Sequence, residues 1–289
     1  ARHKLLPRFV IAAVICSWVI VYSVFALAVS HKLWSDKYRY AILRVGRIVP
    51  YLSQLYLASI NNDVDRPLHY PRKPLSYSDT HKPLNIVIIA VDAWRYDTMN
   101  ATVSPYIYQF AQQSTQFYQH YSSGNCTQAG LFGFFYGIPA TYWQAFVDQG
   151  RGPVLIDMLQ RQHYNLGFFF SATPKFPEFD KTIVAQADVL NWHTVGNSSM
   201  QRDARITENM LTFLKQQKTG QPFFAFLFYD SVHNYCEADR PVLNPFQPYP
   251  EHCNRFSLAR DTDPAPYLNL YRNKVHYVDQ QVHRVLQAL

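Results

Sequence analysis

Leu84 to Val91 reads LNIVIIAV, and Asp92-Ala-Trp-Arg95-Tyr-Asp97 follows it directly. The run is almost wholly apolar and rich in β-branched side chains, with no polar alternation. That pattern belongs to a strand buried on both faces, as in a parallel sheet. Two later stretches read the same way, Asn165 to Ser171 (NLGFFFS) and Pro222 to Tyr229 (PFFAFLFY). Helix-like segments lie between and after them. Ser104 opens one, with Pro105 in its first turn; Met200 to Gln217 is a long amphipathic one. Tyr267 to Leu289 is another, with Val275, Val278, Val282, Val285 and Leu286 on one face. Strands alternating with helices predict a doubly wound α/β domain, in which sites form at the carboxyl ends of the strands.

Charge divides the chain at the start of this domain. The 289 residues carry 27 Lys+Arg and 20 Asp+Glu, a net of +7. Residues 1–82 have a net of +8 and residues 83–289 a net of −1. A near-neutral domain argues against nucleic acid as a partner. Hydrophobic content of 48% excludes a disordered chain, and four cysteines exclude a disulfide-dense scaffold.

Val10 to Ser30 (VIAAVICSWVIVYSVFALAVS) is a stretch of 21 residues without a charge. As a helix it would measure about 31 Å, the thickness of a bilayer core. It is too long for the apolar region of a cleaved leader. We therefore expect residues 1–31 to form a transmembrane helix with its flank, and residues 32–82 a basic interfacial segment and Pro-rich linker. Lys37, Arg39, Arg44 and Arg47 follow the helix. They are either a solvated juxtamembrane run or a site for anionic lipid headgroups.

Three polar clusters fall at strand ends or in nearby loops. Asp92 either holds a hard cation through oxygen or caps the following helix. Ser122-Ser-Gly-Asn-Cys126-Thr127-Gln128 leads into an apolar helix-like run, where Cys126 or Thr127 is either a nucleophile at a helix N-terminus or part of an ordinary cap beside a buried cysteine. Asp230-Ser-Val-His233 follows PFFAFLFY, and His233 either donates to a phosphate or sulfate oxygen or is merely solvated. Cys236 and Cys253 lie 17 residues apart in one Pro-rich loop. If the domain lies outside the cytosol, a disulfide is expected there; a zinc site with His252 would lack the usual ligand spacing.

NIVIIAVDAWRYD, SSGNCTQAG, PFFAFLFYDSVH and NLYRNKVHYVDQQVHRVLQAL together resemble the sulfatase/alkaline-phosphatase superfamily. More narrowly, the apolar helix, basic segment, Pro-rich linker and SSGNCTQAGLFGFFYGIPATYW resemble the YejM/PbgA-like inner-membrane proteins of Gram-negative bacteria, over residues 8–289. The resemblance implies a periplasmic sulfatase-like domain over residues 83–289, truncated at its C-terminus, and a bacterial inner-membrane location with residues after 31 in the periplasm. It implies that Asp92 is a metal ligand, that Cys126 stands at the nucleophile position, and that His233 contacts the substrate anion. A divalent metal (Mg, Mn or Zn) is implied, with a site left incomplete because an Asp-His pair would come from sequence beyond Leu289. Cys126 lacks the C-x-P-x-R context that permits formylglycine, since Thr-Gln-Ala-Gly follows it. Sulfatase activity is therefore not expected.

The function implied is binding of lipopolysaccharide or anionic lipid in the envelope, with regulation of lipid A homeostasis and without a need for catalysis. The implied partners are the membrane, such a lipid, and a membrane adaptor of a protease. The alternative is a metal-dependent phosphoryl hydrolase or transferase acting on envelope lipids.

Overall fold

The computed structural model describes residues 17, 68–76, 83–187, 194–241, 243–253 and 262–289. The chain divides into two compact units, Ala1–Pro67 and Leu68–Leu289, and only the second is described beyond Ser17. Among the described residues no helix is long and apolar enough to cross a membrane. The expected span Val10–Ser30 lies outside them apart from Ser17, and so do Lys37, Arg39, Arg44 and Arg47.

The three expected strands form one parallel sheet: β1 (Ile86–Val91), β2 (Asn165–Phe170) and β3 (Phe223–Tyr229). Their order is β1-β3-β2, with β3 in the middle. Every residue of β3 is buried, which explains why PFFAFLFY carries no polar alternation. The register pairs Val91 with Tyr229 and Phe170 with Phe228.

Six helices are described: α1 (Pro105–Ala111), α2 (Thr127–Tyr136), α3 (Trp143–Gln149), α4 (Val154–Arg161), α5 (Ser199–Lys215) and α6 (Ala265–Leu286). Successive β3 side chains point to opposite faces of the sheet, and the two faces have different cores. Phe224, Phe226 and Phe228 join Phe168 and Phe170 of β2 in an aromatic layer under α2, α3 and α4. Phe223, Ala225, Leu227 and Tyr229 face a layer built from Ile206 and Met210 of α5 and Val275, Val278, Val282 and Val285 of α6. The valine face expected of the last helix is thus the face that packs on the sheet.

Residues 68–76, read from sequence as linker, belong to the compact domain. The Tyr70 ring lies edge-on to Phe146 at 4.9 Å, and its hydroxyl accepts the Val154 amide at 3.3 Å. Prolines around it gave an extended signature, but the aromatic ring finds an apolar seat on α3.

The aromatic layer should tolerate truncation poorly. Phe132 is fully buried, stacked on Tyr136 at 4.3 Å and edge-on to Phe146 at 5.3 Å. Phe132→Ala should lower unfolding free energy by about 3–5 kcal/mol, read from a denaturant titration. A second expectation concerns Lys274 on α6, which is 1% exposed and donates to the Asp239 carbonyl at 2.8 Å. Burial pushes its ammonium down to about 8 from 10.5. Between those two values the unfolded chain binds more protons than the folded one, so stability rises with pH there. The rise should be present in the wild type and absent in Lys274→Met when unfolding midpoints are compared across that window.

Candidate metal and phosphoryl site

The carboxyl edge of the sheet brings two carboxylates together. Because Val91 pairs with Tyr229, the residues that follow, Asp92 and Asp230, leave neighbouring parallel strands at the same level. The Asp92 amide still donates to the Tyr229 carbonyl at 2.9 Å, so the ladder holds up to the site itself. One turn later His233 returns to the same place. Ligand atoms of Asp92, Asp230 and His233 all lie within 4.8 Å of one another. His233 Nδ1 is 3.6 Å from Asp230 Oδ1, and the His233 side chain is half exposed.

The chain after Asp92 does not form a regular helix. Ala93 has φ 57°, and the short 3-10 turn at Tyr96–Thr98 has Arg95 as its N-cap. The reading of Asp92 as a helix cap is therefore corrected. A positive φ at a residue with a Cβ costs on the order of 1 kcal/mol and is held only by its surroundings. Here it turns the backbone away from the sheet directly after the carboxylate.

The SSGNCT loop arrives from the other side. Cys126 is the N-cap of α2 and Thr127 its first residue. Glycines let the loop lie on the helix: a Cβ at Gly133 would stand 2.0 Å from Ser123 Oγ, and one at Gly124 would stand 2.5 Å from Ala129 Cβ. This close approach delivers Thr127, whose Oγ1 donates to Asp92 Oδ2 at 2.8 Å. Cys126 is free and exposed, which corrects the reading of a buried cysteine. The structure thus brings Thr127, Asp92 and His233 into one site, and the hydroxyl on Asp92 belongs to Thr127.

Asp230 was not singled out from sequence. Its signal was present: it follows PFFAFLFY as Asp92 follows LNIVIIAV, and only the pairing of the two strands makes the likeness meaningful. Asp230 is 6% exposed. Burial pushes its carboxyl up to about 7, with the Asp203 and Asp92 carboxylates adding to the rise and Arg202 opposing it. Arg202 on α5 stands 3.7 Å from Asp230 Oδ2, and Asn234 Nδ2 donates to the same oxygen at 2.6 Å. Crowded carboxylates of this kind match a hard divalent cation, which would stabilise their charged forms. Two carboxylates and an imidazole are also a donor set that suits Mn or Zn. The residues present therefore fit the metal that the fold implies.

Cys236 and Cys253 are joined in a disulfide, with Cα atoms 5.1 Å apart. It closes the loop that leaves His233. Glu237, next to Cys236, accepts from the Ser199 amide at 2.9 Å, which ties this loop to the start of α5.

The sulfatase family profile matches residues 84–289. An uncharacterized protein of Haemophilus influenzae is 34% identical over 161 residues, 55% of this chain and 27% of that protein. The inner membrane protein YejM of Salmonella typhimurium is 26% identical over 223 residues, 77% of this chain and 33% of that protein. The chain therefore spans about a quarter to a third of the length of these curated relatives. Among solved structures, the periplasmic domain of the phosphoethanolamine transferase EptC from Campylobacter jejuni superposes with a TM-score of 0.53 at 15% identity. That match covers 72% of this chain and 64% of the other, and it is a likeness of fold. With the profile spanning β1 to α6, both carboxylates and the Thr127 loop, the chain belongs to the sulfatase family.

Proposed function

We propose that this chain is part of an inner-membrane protein of the Gram-negative envelope that binds anionic lipid, lipopolysaccharide foremost, and regulates lipopolysaccharide homeostasis. Its sulfatase-family domain would stand in the periplasm. The observation that carries this reading is the division of charge, +5 on residues 31–82 against −1 on residues 83–289. Cationic side chains concentrated beside an uncharged 21-residue stretch are placed to meet lipid phosphates, each contributing about 1 kcal/mol. The similarity to the Salmonella inner membrane protein supports the location. In this reading Lys37, Arg39, Arg44 and Arg47 grip the headgroup, and the domain presents the bound state to a membrane partner such as the adaptor of a protease.

The hydrogen bond from Thr127 to Asp92 favours a second reading, in which the same domain is a metal-dependent phosphoryl hydrolase or transferase acting on envelope lipids. Asp92, Asp230 and His233 would hold the divalent cation, which when bound supplies Lewis-acid polarisation of a phosphoryl oxygen. The chain's own groups do the rest. Asp92 accepts the Thr127 proton in a hydrogen bond and so leaves the Thr127 oxygen lone pairs directed away from the carboxylate. The amides of the first turn of α2 offer partial positive charge to an arriving anion. Arg202, beside Asp230, adds a fixed cation.

The two readings separate in the laboratory. For the first, the detergent-solubilised chain should bind lipid A vesicles, and Arg44→Ala/Arg47→Ala should weaken that binding about thirtyfold, from two contributions of about 1 kcal/mol. Wild-type binding in the double variant would overturn it. For the second, Asp92→Ala should abolish Mn²⁺ binding. Thr127→Ala should keep Mn²⁺ binding and lower phosphoester turnover by roughly a hundredfold or more. Turnover of Thr127→Ala at the wild-type rate would remove the catalytic reading and leave the lipid-binding one in place.

A further inference from the structure

Each of the two carboxylates is followed by a turn, and each turn is held by one buried side chain from a helix behind the sheet. After Asp92, the phenol of Tyr271 on α6 accepts the Arg95 amide at 2.8 Å and donates to the Ala93 carbonyl at 2.9 Å. It thereby bridges the two peptide groups that flank Trp94, directly after Ala93, whose φ is 57°. Tyr271 is 7% exposed, and its ring sits edge-on to Tyr235, two residues beyond His233, at 6.1 Å. After Asp230, the carboxylate of Asp203 on α5 accepts the Asp230 amide through Oδ1 and the Ser231 amide through Oδ2, both at 3.0 Å. Asp203 is fully buried. Its helix is tied to the last residue of β3 as well, because Thr207 Oγ1 and Tyr229 Oη share a hydrogen bond at 2.9 Å.

A strand ends where its ladder ends, and beyond that point nothing in the sheet dictates where the next side chain goes. Three amides and a carbonyl would otherwise turn toward solvent or toward the carboxylates themselves. Directed instead onto Tyr271 and Asp203, they leave the Asp92 and Asp230 oxygens facing the same space.

We propose that Tyr271 and Asp203 are positioning residues for the cation centre: they set the turns from which Asp92 and Asp230 project, and so fix the spacing of the two carboxylates. This rests on the reading of Asp92, Asp230 and His233 as that centre. Neither residue needs to touch the cation. Their effect passes through the backbone of Ala93–Arg95 and of Asp230–Ser231.

The test is a Mn²⁺ titration of the full chain in detergent, followed by electron paramagnetic resonance, on the wild type, Tyr271→Phe, Asp203→Asn and Asp92→Asn. Tyr271→Phe removes one oxygen and keeps the packing ring. It should raise the Mn²⁺ dissociation constant about tenfold, in the range seen when groups supporting metal ligands are removed. The spectrum at saturation should change with it. Asp203→Asn replaces one acceptor oxygen with a donor and should act in the same direction. Adding Ala93→Gly to Tyr271→Phe should recover affinity, because glycine takes a positive φ without a Cβ clash; a loss caused by core packing alone would not be recovered. Wild-type affinity and spectrum in Tyr271→Phe, or no recovery in the double variant, would overturn the proposal. If Asp203→Asn does not fold, Tyr271→Phe and its rescue decide it. Failure of the underlying reading looks different: Asp92→Asn would itself leave Mn²⁺ binding intact, and both inferences would fall together. Abolished binding in Asp92→Asn with unchanged binding in Tyr271→Phe removes the positioning role alone.

Discussion

The parallel pairing of β1 on β3 is the constraint from which the rest of the site follows. Its register sets Val91 opposite Tyr229, so the next residue on each strand is an aspartate at the same level. Two carboxylates side by side at a partly dry edge repel each other and lose hydration. Burial and its acidic neighbours push Asp230 up to about 7. Such an arrangement is a poor structural device by itself, and a good one for holding a cation. Arg202 and the Asn234 amide moderate the repulsion without replacing a metal.

The two faces of the sheet explain how so unfavourable a cluster is tolerated. One face is a close-packed aromatic layer, in which the Phe168 ring lies 5.6–6.4 Å from those of Phe170, Phe224 and Phe226, and Phe170 lies 5.6 Å from Phe226. The other is aliphatic, with the valines of α6 set against β3. Interiors packed at this density move little, so the strand ends they carry are held in place. The helices on the aliphatic face also supply the polar groups that reach the turns, Asp203 from α5 and Tyr271 from α6. Packing and site geometry are therefore delivered by the same elements.

Membership of the sulfatase family sets the fold and the location of the site at the strand ends. It does not set the chemistry, since one fold carries many reactions. Two features of this chain shape the choice. The hydroxyl on Asp92 belongs to Thr127, while the neighbouring Cys126 thiol is exposed to solvent. And the net positive charge lies in residues 1–82, the part of the chain that holds the uncharged stretch at Val10–Ser30. In the readings proposed above, the first would serve phosphoryl chemistry and the second an anionic lipid surface, and a phosphorylated envelope lipid would meet both.

Local pattern was enough to determine the three strands, the long helices and the residues at two of the three strand ends. Continuous apolar runs and valines at helical spacing report burial directly, because each residue's own solvation decides it. Pairing is a different matter. That β1 lies against β3 rather than β2, and that Asp230 thereby becomes a partner of Asp92, depends on contacts between segments about 140 residues apart. The same holds for Tyr70, whose proline-rich surroundings read as linker until Phe146 and Val154 are brought beside it. Thr127 and Cys126 are adjacent in sequence, and only the docking of α2, permitted by Gly124 and Gly133, decides which of them faces the carboxylate. Sequence determined which groups were available for chemistry; tertiary structure decided which of them meet, because distance between side chains is a property of packing and not of any one segment.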